Sequence, residues 1–162
     1  MFVADATALA QRAMYNPDPR VVGSTYRPYS ARVYSRHALN HAQVLRYYGS
    51  NHKEISPDTA REHVAEIRRN VDAFGNEVEK MTALYSADPE AMKLIAAIRQ
   101  HQKEAAAHCG MAEKECAKHL AEGGAVAQCC SDMLKHLKAA DEAHEQLLKH
   151  LRVPVPMEGA KK

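Results

Sequence analysis

Apolar positions recur with a helical period in four stretches of this chain, and proline and glycine mark the breaks between them. The first stretch, at about 30–48, repeats Tyr34, His37, His41, Val44 and Tyr48 at spacings of 3, 4, 3 and 4, and Gly49 follows it. The second, 57–85, carries Val64, Ile67, Val71, Phe74, Val78 and Met81; Ser56-Pro57 before it is an N-cap followed by a proline suited to the first helical position. The third, 90–121, opens on Asp88-Pro89-Glu90, carries Leu94, Ile98, Ala105 and Ala112 with His101 and His108 on the same stripe, and is expected to stop at Gly123-Gly124. The fourth, 126–151, has Val126, Cys130, Met133, Leu137, Ala140, His144, Leu147 and Leu151 as its seam. Long helices joined by short connections predict an all-α fold, an up-down-up-down antiparallel four-helix bundle over residues 30–151. Residues 1–29 are expected to form a short helix at 2–14 and then an extended, irregular arm holding Pro17, Pro19 and Pro28; residues 152–162 are expected to be a flexible tail.

Composition narrows the function classes. A chain of 162 residues with 46% hydrophobic content suits one domain with one core, and a formal net charge of +2 gives no footprint for nucleic acid. There is no run of 18 apolar residues and no signal-peptide pattern at the start, so the reading is no membrane partner and a cytoplasmic protein. The four cysteines, all in the second half, do not form a secreted disulfide framework or a C-x-x-C pair. No nucleophile arrangement, phosphate loop or nucleotide fingerprint is present, so the reading leans away from an enzyme, with an open metal site in the bundle as the enzymatic alternative. The ten histidines are the outlying feature.

Several of those histidines fall on core phases. An imidazole buried without partners costs of order 1–3 kcal/mol, so several at matching levels imply mutual satisfaction, which a metal supplies economically. Counting levels in the bundle places His41 beside His63, His37 beside His108, His101 beside His144, and Cys116 beside Cys129 or Cys130. The candidate ligands are therefore His37, His41, His63, His101, His108, Cys116, Cys130 and His144. His101 and His108 are separated by roughly 10 Å along a helix, so two or more centres are expected. Glu104 and Asp141 stand one turn from a histidine, able to ligate or to orient an imidazole. Imidazole and thiolate together select copper or zinc. The expected function is metal storage, buffering or sensing. The alternatives are a bundle binding haem b, through His101–His144 or His37–His108 as axial pairs, and a helical interaction domain without metal, with homo-oligomerisation through the N-terminal arm.

HCGMAEKECAKH at 108–119, on a four-helix pattern with inward histidines, resembles the His- and Cys-bearing four-helix-bundle metal proteins, of which the bacterial copper-storage proteins are one kind. That resemblance implies a bundle interior that binds metal. The repeated C-x-x-x-C of the copper-storage proteins is absent here. The di-iron pattern, with Glu-x-x-His on two helices, is also absent.

Overall fold

The computed structural model describes residues 19–153, with side chains from Tyr26 onward. The expected helix at 2–14, the first part of the arm and residues 154–162 lie outside the described residues. Four helices make up almost all of the rest: α1 (Pro19–Asn51), α2 (Pro57–Leu84), α3 (Pro89–Cys116) and α4 (Gly123–His150). α1 packs on α2 and α4, and α3 packs on the same two neighbours, which closes an all-α bundle. Among the described residues, no helix is long and apolar enough to cross a membrane.

Both prolines expected at helix starts stand there. Pro57 and Pro89 begin α2 and α3, where a missing N–H costs nothing. The Asp88 carboxylate accepts from the backbone N–H groups of Glu90 and Ala91, at 3.1 and 3.0 Å. Ser56 occupies the N-cap of α2, but its hydroxyl makes no capping bond. The stretch 19–29, expected to be extended, is helical. Pro19 opens α1 as a first-position proline, and Pro28 lies inside the helix, where it forgoes one backbone bond and is buried against the bundle.

The buried seam of α1 is one residue out of phase with the expected one. Ala31, Ser35, Ala38, Ala42, Leu45 and Gly49 face the core, whereas Tyr34, His37 and Val44 are exposed and His41 and Tyr48 half-buried. Small side chains let α1 lie close to its neighbours, and the larger ones are turned outward. On α2 the expected seam is the buried one, from Val64 to Met81. On α3 the seam runs through Ala91, Ile95, Ile98, Ala105, Cys109, Ala112 and Cys116, which leaves Leu94, His101 and His108 half-buried on its edge. On α4 the expected seam is buried except for half-buried Leu151.

The α3–α4 connection also differs from expectation. α3 ends at Cys116, and the chain then pairs Ala121–Glu122 (β2) with Glu54–Ile55 (β1) in a short antiparallel ladder. Gly123 and Gly124 do not stop α3. They begin α4, both with negative φ. Gly49 continues α1 rather than breaking it, and α1 ends at Asn51. Gly49 and Gly123 allow contact between helix ends: a Cβ on Gly49 would stand 2.5 Å from the Gly123 carbonyl oxygen.

Ion pairs cross three of the helix interfaces. Arg27 pairs with buried Glu77 between α1 and α2 at 3.0 Å. Arg32, itself buried, and Arg36 share Asp141 between α1 and α4, at 2.8 and 3.3 Å. Arg68 holds Glu113 between α2 and α3 at 2.7 Å.

Candidate metal centre

Two histidine pairs join neighbouring helices. Between α1 and α2, His41 Nδ1 lies 3.3 Å from His63 Nδ1. Between α3 and α4, His101 Nδ1 lies 3.4 Å from His136 Nδ1. Each is within reach of a long imidazole–imidazole hydrogen bond, in which the Nδ1–H of one ring donates to the bare Nδ1 of the other. The separations also match another quantity: two imidazole nitrogens at about 2.0–2.1 Å from a tetrahedral ion stand about 3.3–3.4 Å apart. Each pair thus has the edge length of a tetrahedral zinc or copper site, in side chains that are half-buried and open to water on one side.

Each pair has further donors beside it. His108 stacks on His136 with ring centroids 5.5 Å apart, so His136 is flanked by the two α3 histidines that sit seven residues apart. Glu104 stands one turn from both, and Asp132 lies one turn before His136. Burial pulls the His136 imidazolium below its ordinary range, and the neighbouring His108 and His101 lower it further, so neutral, ligating imidazole is favoured. At the other pair, the Tyr48 ring packs on both His63 and His52, and exposed His37 stands one turn before His41. Among the described residues, no three His, Cys, Asp or Glu side chains are already arranged around one point to hold a metal. The built part of each site is its pair; third and fourth ligands must come from water or from rotation of the side chains nearby.

The other expected ligands are distributed differently. His41 and His63 meet as expected. His37 is exposed, and His108 stacks on His136 rather than on His37. His101 pairs with His136 instead of His144, because its place on the edge of α3 points it along the α3–α4 groove and not into the core. His136 escaped the sequence reading because it lies off the apolar seam of α4. The signal that finds it is the one-turn Asp132–His136 spacing at the level between His101 and His108.

His144 is a core residue. It is fully buried against Phe74, with ring centroids 5.7 Å apart, and neither ring nitrogen has a hydrogen-bond partner among the described residues. Desolvation, with Arg32 adding to it and Asp141 opposing it, lowers its pKa from 6.5 to about 4. The linkage follows from that direction. In the unfolded chain His144 takes up a proton near pH 6.5, while the folded protein resists protonation until about pH 4, so stability is full above 6.5 and is lost as pH falls through that window. The loss from this group is about 2 kcal/mol at pH 5. Denaturant melts at pH 7.5 and pH 5 should show a steeper acid loss for the parent than for His144→Leu, and His144→Leu should be at least as stable as the parent at pH 7.5. Equal acid sensitivity in the two proteins would contradict this.

The four cysteines gather at one end of the bundle. Cys116 and Cys130 are buried in the same core cluster with Cys109, and half-buried Cys129 packs against that cluster. Burial pushes the thiols of Cys109 and Cys130 up to about 12 and that of Cys116 to about 11; Cys129 is raised as well. Neutral thiols in a core are inert small hydrophobes. Cys129, the only one with part of its surface exposed, should be the first alkylated by iodoacetamide at pH 7.5. Mass mapping that finds Cys109 or Cys130 modified first would contradict this burial pattern.

No protein-family model, curated protein or solved structure significantly matches the chain. The chemistry of the site therefore has to be read from its own residues. Imidazole nitrogens, with Glu104 and Asp132 one turn from the second pair, are donor types that Zn²⁺, Cu²⁺ or Cu⁺ would accept.

Proposed function

We propose that this protein is a metal-binding four-helix bundle for copper or zinc, acting in storage, buffering or sensing rather than catalysis, in the reducing cytoplasm. The observation that carries the reading is the pair of Nδ1···Nδ1 separations, 3.3 Å at His41–His63 and 3.4 Å at His101–His136. Two centres are proposed, one between α1 and α2 and one between α3 and α4. His37, one turn before His41 on α1, belongs with the first. His108, Glu104 and Asp132 belong with the second. Half-exposed sites of this kind exchange metal with solvent, which suits buffering or sensing better than permanent structural metal.

Cys116 and Cys130 are proposed as a reserve for a soft ion. Metal would have to displace their protons from a buried cluster, so they should load only after the histidine sites. The haem reading draws no support from its proposed axial pairs, since His101 tilts against His136, His108 stacks on it and His144 packs on Phe74.

The experiment is a competition titration of untagged protein with Zn²⁺, and separately with Cu⁺ under anaerobic conditions, against a chelator of known affinity. The expected result is two sites filled before any thiol is consumed, with affinity falling as pH is lowered through the imidazole range. Absence of binding above that of a histidine-poor control protein would overturn the proposal.

A further inference from the structure

We propose that the outer face of α1 is a docking surface for a second copy of this chain. α1 has two stripes. The small-residue stripe faces the core. On the opposite side Tyr26, Val33, Asn40 and Tyr47 stand seven residues apart, with Tyr29, His37 and Val44 between them. A seven-residue repeat is the period of a helix that packs along another helix. Tyr26 and Tyr47, at its two ends, are 55% and 65% exposed, and Tyr29 and Val44 are 43% and 40% exposed. Scattered exposed apolar residues are ordinary, but a continuous stripe of them on one helix is the pattern of an interaction site, and tyrosine is a residue that interfaces favour.

Charge selects the occupant. None of the seven residues is an Asp, Glu, Lys or Arg, and α1 contains no acidic residue anywhere. The arginines beside the stripe are engaged within the chain, Arg27 with Glu77 and Arg36 with Asp141. A second copy therefore meets an uncharged stripe whose neighbouring arginines are already neutralised by Glu77 and Asp141. A lone Asn on such a repeat is a device that fixes register between two helices at some cost in stability.

The area suits a reversible dimer. The three tyrosines leave exposed the equivalent of about one and a half whole side chains, on the order of 300 Å². Val33, His37, Asn40 and Val44 extend this along a strip about 32 Å long, toward the roughly 800 Å² per partner of a standard interface. His37 is shared between the stripe and the proposed α1–α2 centre, so the dimer is tested with metal removed.

Sedimentation velocity of the full chain with chelator present tests it. The parent should show twice the mass of one chain, with the dimer fraction rising through the micromolar range. A Val33→Glu, Asn40→Glu variant should be monomeric with unchanged helical content, and so should a Val33→Lys, Asn40→Lys variant. Mixing the two should restore a dimer, whichever way the helices run, because each Glu then faces a Lys. A parent that stays monomeric throughout that range overturns the proposal, whether residues 1–18 or a different protein covers the stripe. A Glu variant that dimerises as well as the parent overturns it too.

Discussion

Gly123→Ala should unfold this protein or bring it close to unfolding. A Cβ at position 123 would lie 1.9 Å from the His52 carbonyl oxygen and 2.7 Å from that of Gly49. Both are backbone atoms, so no side chain can rotate away. Both are also held: the Gly123 N–H donates to the Lys53 carbonyl at 2.9 Å, and Ile55 pairs with Ala121 just beyond. Relief requires α4 to move away from the end of α1, which opens the cluster containing Leu45, Val126 and Cys130. Backbone overlap of this size belongs to the rare substitutions costing more than about 4 kcal/mol, against a total stability of about 5–15 kcal/mol. At about 2–4 °C per kcal/mol for a domain of this size, the melting temperature should fall by roughly 10 °C or more. Gly124→Ala is the control. Nothing lies within 4 Å of a Cβ there, and alanine should raise stability by up to about 1 kcal/mol as a better helix former. Thermal melts of the two variants should separate in opposite directions from the parent; a Gly123→Ala protein melting within a few degrees of the parent would contradict the close approach of α1 and α4.

His136→Ala should abolish one of the two proposed centres. His136 is the residue that both α3 histidines contact, His101 through Nδ1 at 3.4 Å and His108 by stacking. Its removal leaves His101 and His108 one above the other on a single helix, about 10 Å apart, too far for one ion. Loss of a residue that merely supports a ligand costs about 10–100-fold in metal affinity, so loss of a ligand should cost at least about 100-fold at that site. The fold should survive, because His136 is only half-buried. Melting of the metal-free variant should match the metal-free parent, while added Zn²⁺ should raise the melting temperature of the parent more, since a ligand held by the folded state alone stabilises it by mass action. Identical Zn²⁺-induced shifts in the two proteins would remove the α3–α4 centre.

The helices were legible in the sequence because their boundaries rest on strong local chemistry. Pro57, Pro89 and Asp88 act within one turn of where they stand, and the aliphatic seam of α2 leaves one choice of buried face. α1 was misread by one position. Large side chains were taken as the buried ones, whereas close helix packing selects the small stripe Ala31, Ser35, Ala38 and Ala42. That error carried His37 to the wrong side and hid the exposed tyrosines. Gly49 and Gly123 read as breaks because glycine serves turns and close contacts alike, and only the three-dimensional approach of α1 to α4 distinguishes the two. At the candidate site, His41–His63 followed from level counting. His101–His136 did not, since a groove-lining pair falls on the edges of two seams, where apolar periodicity carries no signal.

The central claim is that two histidine pairs, each at the edge length of a tetrahedral ion, bind metal independently. Equilibrium dialysis against buffered free Zn²⁺, with elemental analysis of untagged protein, tests it on the parent, His41→Ala, His136→Ala and the double variant. The account predicts about two ions per chain for the parent, one for each single variant and none for the double variant at the same free Zn²⁺. A double variant that retains the metal content of the parent would contradict it.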